Sequence, residues 1–258
     1  MSKIKRNVVA GVCAIALGSL WVLPAGAQET VQAKAPMYSY VSNWQIPRAH
    51  WAEMQMTATE KAMMDKAVAD GTLVGYGTDQ NLVHTPDGWT HDDWFSSMSQ
   101  AGLYSVLKQE YTSGSGTTSV LQSATKHWDL VLMSRYYGWT PGSYHDGFVS
   151  VSSYKLKKNA PDNALDALSG EVVAPILEKM LADGSIVEYE IDTLAVHTEA
   201  PGTFMIVTVS KDASDLDKVD AAIMAAIKAH PIEGIAFGAL TDSSAHRDEM
   251  ALGDGVFK

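Results

Sequence analysis

Hydrophobic and polar positions alternate along the chain in two rhythms, one of period two and one of helical spacing. Gly147 to Lys155 alternates and is rich in Val and Ser, which predicts a strand. Asn163 to Leu181 carries Leu165, Leu168, Val172, Ile176 and Met180 at helical spacing, with Gly170 and Pro175 expected to kink or split that helix. Gly184 can take the left-handed cap behind it. Ile186–His197 and Gly202–Ser210 read as a strand pair. A helix follows from Ser214, with Asp217 placed for a capping box and Leu216, Val219, Ile223 and Ile227 as its stripe. His230-Pro231 stops it, and Ile232–Leu240 reads as a last strand, leaving 242–258 as a polar tail.

The stretch before it follows the same order. Met37–Trp44 predicts a strand and Ala49–Ala69 a helix. Thr72–His84 and Trp89–Met98 form a hairpin, and Ser99–Tyr111 is a helix. Thr112 to Thr117 is a Ser/Gly link, a short helix runs to Lys126, and Asp129–Tyr136 is a closing strand. Sliding the chain by 113 residues brings Ala69-Asp70-Gly71 onto Ala182-Asp183-Gly184, Tyr76 onto Tyr189, Asp79 onto Asp192 and His84-Thr85 onto His197-Thr198. Nine of the seventeen positions from 69 to 85 are identical in this register, so the expectation is two βαββαβ units, at 37–140 and 147–241.

That order is the ferredoxin-like plan, an antiparallel four-stranded sheet with helices on one face. The fold class is therefore α+β, with two tandem units burying their bare sheet faces against each other. In this the chain resembles the dimeric α/β-barrel superfamily, which includes the antibiotic-biosynthesis monooxygenase-like domains, here as a fused pair. The resemblance rests on element order and the repeat. It implies a pocket between helices and sheet, and no single activity, since the superfamily holds oxygenases, haem-handling enzymes and non-catalytic members.

The start of the chain changes the accounting. Lys3, Lys5 and Arg6 precede an uncharged apolar stretch, Val8–Leu23, and Ala25-Gly26-Ala27 offers a small-x-small cleavage site. The apolar stretch is shorter than the roughly 20 residues of a spanning helix. Residues 1–27 are therefore expected to be a signal peptide, and the mature protein periplasmic or secreted. Cleavage removes Cys13, the one cysteine, so disulfides and thiolate chemistry are excluded. It leaves 16 basic against 30 acidic residues, a net charge of −14, which opposes binding to nucleic acid or anionic lipid. No membrane contact is expected after cleavage, and the oligomeric state is open.

No nucleophile elbow, zinc motif, phosphate loop or EF-hand is present, and no cofactor is expected. His84 and His91, with Asp92 and Asp93, could in principle hold a divalent ion. Alternation sends the two aspartates to opposite faces, and no metal is expected there. Met54, Met56, Met63 and Met64 could form a soft-metal site but read as core and flank positions. Aromatic residues are unevenly shared, fifteen in 28–147 against six in 148–258. Tyr40, Trp44, Tyr76 and Trp94 are the candidate walls of a small-molecule pocket, with His84 as a hydrogen-bonding group. The expected function is an exported, non-catalytic binding module for a small apolar or aromatic molecule. The alternatives are a cofactor-free or haem-linked monooxygenase-like enzyme acting on an aromatic substrate, and a structural protein with no ligand.

Overall fold

The computed structural model describes residues 30–114 and 118–258. The expected signal peptide and the Ser115-Gly116-Thr117 part of the link lie outside them. The first half runs β1 (Met37–Gln45), a 3-10 turn at Arg48–Glu53, α1 (Ala58–Ala69), β2 (Gly75–Asn81), β3 (His91–Ser97), α2 (Gln100–Ser113), α3 (Ser119–Gln122) and β4 (Lys126–Trp139). The second runs β5 (Gly142–Lys155), α4 (Ala164–Ala167), α5 (Ala174–Asp183), β6 (Glu188–Leu194), β7 (Thr203–Ser210), α6 (Ala213–Ala229), α7 (Pro231–Leu240) and β8 (Arg247–Phe257).

All eight strands form one closed antiparallel barrel in the circular order β1-β3-β2-β8-β5-β7-β6-β4. The first four strands read β4-β1-β3-β2 around it, and the last four β8-β5-β7-β6. Two seams join these arcs, β2 against β8 and β4 against β6. Closure leaves no edge strand with unpaired backbone groups. Helices cover the outside. Under α1 and α2, Tyr40, Tyr76 and Phe95 pack with Met64, Val68, Leu73, Leu103 and Val106. Under α5, Tyr136, Tyr189, Ile191 and Phe204 pack with Leu177 and Met180.

Local contacts recur at the 113-residue spacing. Tyr76 donates to Asp65 at 2.5 Å, and Tyr189 donates to Glu178 at 2.6 Å. Thr72 caps back to Asp70 at 2.7 Å, and Ser185 to Asp183 at 2.5 Å. Gly71 and Gly184, between those pairs, have φ of +83° and +79°, a region open to glycine at little cost.

Four elements differ from the sequence expectation. The helix expected over 49–69 is broken, because Thr57 and Glu60 form a capping box that starts a new helix at Ala58. The break expected in the 163–181 helix, by contrast, is present as a π-turn at Leu168–Val173, where the Val31 amide donates to the Gly170 carbonyl at 2.9 Å. At Ser214 no capping box forms, and the helix starts at Ala213 behind Asp212. The largest correction is at the end. Ile232–Leu240 is helical, with Pro231 in its first turn, and the supposed polar tail is β8. A nine-residue, largely apolar run does not distinguish strand from helix by periodicity, and proline suits a first helical turn. Between α6 and α7 the axes turn by 101°. Among the described residues no single helix is long and apolar enough to cross a membrane.

β8 pairs along both its edges, with β2 and with β5. Ending the chain at Ala245 should therefore open the barrel and abolish cooperative thermal unfolding followed by circular dichroism. A truncated protein that melts cooperatively within about 5 °C of the full chain would refute this role for β8.

Candidate binding site inside the barrel

Strand alternation sends every second side chain into the barrel. β2 and β3 contribute Asp79, Asp92, Trp94 and Ser96, β1 contributes Ser39, Val41 and Asn43, and β6 contributes Glu188, Glu190 and Asp192. Val149, Val151, Met205, Val207 and Val209 come from β5 and β7, and Leu130 and Leu132 from β4. These residues enclose a cavity of about 1010 Å³. It opens where the chain turns at Thr85–Trp89 and Glu199–Ala200 and where β8 begins, at Arg247–Glu249. The opposite end carries an aromatic stack. The Trp94 and Phe257 ring centres are 5.3 Å apart, and Trp139 and Tyr144 stand 5.9 and 6.2 Å from Phe257.

β8 makes room for these groups. A β-carbon on Gly253 would clash with the Asp79 carboxyl, and one on Gly255 would lie 2.5 Å from the Tyr144 ring. The side chains that use this space are one acidic and one phenolic, and both are buried.

Among the described residues the deep lining is acidic and has no cation. Asp79, Asp92, Glu188, Glu190 and Asp192 are all under 8% exposed. The cationic side chains on the cavity wall, Lys155 and Arg247, stand at the rim with His246. Burial pushes Asp79 up to about 7, with the Asp254 charge adding to it, and burial pushes Glu188 up to about 8. Burial, reinforced by the charges of Asp79, Asp93 and Glu249, holds Asp92 well above the usual carboxylate range. Glu190 and Asp192 are raised by burial and then by their acidic neighbours on β6. Ser39 donates to Glu190 at 3.3 Å and shares a hydrogen bond with Ser96 at 2.8 Å. Trp89, at the rim, donates its indole N–H to Glu249 at 2.9 Å.

The candidates read from the sequence divide by sheet face. Trp94 lines the cavity. Tyr40 and Tyr76 point the other way, into the core under α1 and α2. Trp44 stacks on His127 with ring centres 3.7 Å apart, and His84 packs on Trp51 at 4.6 Å. Trp51 also meets His91, whose imidazole is pushed down to about 4 by burial and by His84. On this outer face Tyr40 donates to Asp129 at 2.8 Å, and His127 Nε2 lies 2.9 Å from the same carboxylate and 3.1 Å from Ser42 Oγ. Asp92 and Asp93 do point to opposite faces. Asp93 joins Glu60 and Glu110, their ligand atoms within 4.8 Å of one another, under the helices. Sequence reasoning missed the β6 acids Glu188, Glu190 and Asp192 as interior groups, and weighed Asp92 only as an ion ligand. Their signal was the alternation Glu188-Tyr189-Glu190-Ile191-Asp192, which looks like a strand with one wet face.

No protein-family model matches the sequence, and no curated protein matches it. Solved structures do resemble it. A candidate monooxygenase from Lactobacillus acidophilus superposes with a TM-score of 0.63 at 11% identity, over 85% of this chain and 94% of that one. A candidate monooxygenase from Fusobacterium nucleatum subsp. nucleatum gives 0.54 at 9% identity, over 88% and 94%. An anthrone oxidase-like protein gives 0.51 at 9% identity, over 85% and 92%. The fold is that of the dimeric α/β barrel. At these identities the likeness speaks for the fold alone.

The raised carboxyls give stability an unusual pH dependence. Unfolded, these groups ionise near about pH 4. Folded, they keep their protons to about 7 for Asp79 and about 8 for Glu188. Below the unfolded value both states are protonated and stability is full. Above it only the unfolded chain gives up protons, so stability falls as pH rises through the folded values. The melting temperature should drop by about 5 °C or more between pH 5 and pH 8.5. A profile that is flat or rising across that window would count against neutral interior acids.

Proposed function

We propose that the chain is an exported, monooxygenase-like enzyme that takes one small, partly aromatic molecule into the barrel. The cavity carries this reading. Its volume suits a small-molecule ligand, and its walls combine apolar side chains with a few buried polar groups. Asp79 and Asp92 are cross-strand neighbours in a β2–β3 pair, and Asp79 is raised to about 7. A carboxyl poised near neutral pH can accept and return a proton during catalysis. The candidate monooxygenases and the anthrone oxidase-like protein of the same fold support the enzyme reading. The rival, a non-catalytic binding module, is favoured by the lining itself, which holds no histidine below the rim.

Two further readings belong here. The recurring Tyr–carboxylate and Asp–hydroxyl pairs, 113 residues apart, support descent of the two arcs from one βαββαβ unit. The resembling chains are also matched over nearly their whole length, in keeping with two units in a single chain. Export rests on the leader read from the sequence, and predicts a mature N-terminus at Gln28.

Oxygen uptake with a panel of phenols and aromatic amines separates enzyme from binder. Substrate-dependent uptake is expected, and Met205→Trp, which fills the cavity, should remove it. Uptake unchanged in that variant would move the reaction elsewhere, and no uptake with a ligand that binds would favour the module. Trp94→Ala should weaken such a ligand at least about tenfold, while Trp44→Ala leaves affinity within about threefold. The reverse result, read by fluorescence quenching, would relocate the site to the outer face.

A further inference from the structure

We propose that the interior receives an organic cation, a protonated amine carried on an aromatic or otherwise apolar body. This rests on the reading of the barrel as the working site and adds the ligand class.

Five carboxyls stand on two walls of the cavity, Asp79 and Asp92 on one and Glu188, Glu190 and Asp192 on the other. Burying carboxyls is costly when nothing receives them, and apolar side chains would line a barrel without that cost. Here no group but another acid meets these acceptors. Asp79 Oδ1, Asp92 Oδ1, both carboxyl oxygens of Asp192 and the Tyr144 hydroxyl have no partner at hydrogen-bond geometry among the described residues, and the looser contacts of the carboxyls are with each other, Asp79 with Asp92 and Asp192 with Glu190. Asp192 is 1% exposed and Asp79 and Asp92 are 7% and 6% exposed, and all three line the cavity. An ammonium group brings three donors and a positive charge to such acceptors. Trp94, Trp89 and Trp128 line the same space and can add cation–π attraction.

Other ligands fit less well. An anion would meet five acids and no deep cation. A single metal ion needs ligands that converge, and among the described residues no three of these carboxyls bring ligand atoms within 4.8 Å of one another. The two groups that do, Glu60–Asp93–Glu110 and His145–Asp146–Asp254, lie outside the cavity. Spread acceptors with apolar walls between them suit an extended cation.

Binding is coupled to protons. The titratable groups facing the interior acids are Tyr144 on β5 and Glu249 and Asp254 on β8, with Asp93 beside Asp92 on β3, and Asp87, Lys155, Glu199, His246, Arg247 and Asp248 at the rim. β1, β4 and β7 present no titratable group on the cavity wall apart from the strand ends at the rim. Burial favours the protonated form of these acids when no cation is present, least so for Asp79, so taking up an amine expels protons and affinity rises with pH.

The test uses three matched probes at pH 7.5, phenylbutylamine, phenylbutanol and phenylpentanoate, titrated by calorimetry in buffers of different ionisation enthalpy. The amine should bind at least about tenfold more tightly than the alcohol, with proton release, and the carboxylate should bind more weakly than either. Glu190→Gln combined with Asp192→Asn replaces neutral acids by amides of nearly the same shape. That protein should keep its melting temperature at pH 5, lose at least about tenfold in amine affinity, and hold the alcohol within about threefold. If the double variant does not fold, Asp79→Asn alone should show the same selective loss. An alcohol or carboxylate that binds as tightly as the amine overturns the cation inference and leaves the cavity as a binding site. No binding by any of the three overturns both.

Discussion

Everything in this molecule depends on closing one sheet. Helices cover the outer face of the sheet and leave its inner face bare. The seams β2–β8 and β4–β6 curve all eight strands around a common interior. Closure satisfies the edges and encloses the bare face. It also sets a filling problem, since an eight-stranded interior can either be filled by its own side chains or hold one small ligand. One end is filled by Trp94, Tyr144, Trp139 and Phe257, over glycines that leave room for the rings. The middle is left open and is lined with acids.

Those acids are tolerable because they can be neutral. A buried ionised carboxylate without a partner would cost far more than a protonated one, so the equilibrium moves toward the acid form. The neighbours reinforce this, since each charge on one member of the β6 ladder penalises the next. The result is a cavity whose acids are biased toward the neutral form when nothing is bound. Such a lining trades some stability at neutral pH for the capacity to receive charge. In that respect it resembles other functional sites, where local rules of burial are broken for a purpose.

Much of the outer layer was legible in the sequence. Met37–Trp44, the 72–98 hairpin and the 186–210 pair carry their strand signals in alternation. The turn Ala182-Asp183-Gly184 announces its left-handed glycine, which has φ of +79°. The sequence was opaque where one signal has two meanings. Ile232–Leu240 is apolar enough for a strand and begins with a proline suited to a helix. Arg247–Phe257, with two glycines and four charges, reads as a tail until one sees that Asp79 and Tyr144 occupy the glycines' space. Tyr40 and Trp94 were grouped as walls of one pocket, yet Tyr40 pairs with Phe95, and Trp94 is the next residue, on the opposite face. Aromatic content marks a strand, but face parity decides which side of the sheet it serves.

The asymmetry between the halves is therefore one of charge more than of aromatic rings. Positions 113 residues apart make the comparison direct. The inward residues of β2 are Gly75, Gly77 and Asp79, and those of β6 are Glu188, Glu190 and Asp192. Where β6 carries glutamates, β2 carries glycines, and at Gly77 and Gly75 the freed volume is taken by the Trp94 and Phe257 rings. One wall thus presents an aromatic surface and the other a carboxyl ladder, with only the Asp79 and Asp192 pair held in common. A symmetric ring of acids would repel itself and leave no apolar contact for a ligand's body. A symmetric ring of aromatics would fill the barrel. Dividing the two roles between facing walls is what leaves a space that is both open and chemically directed.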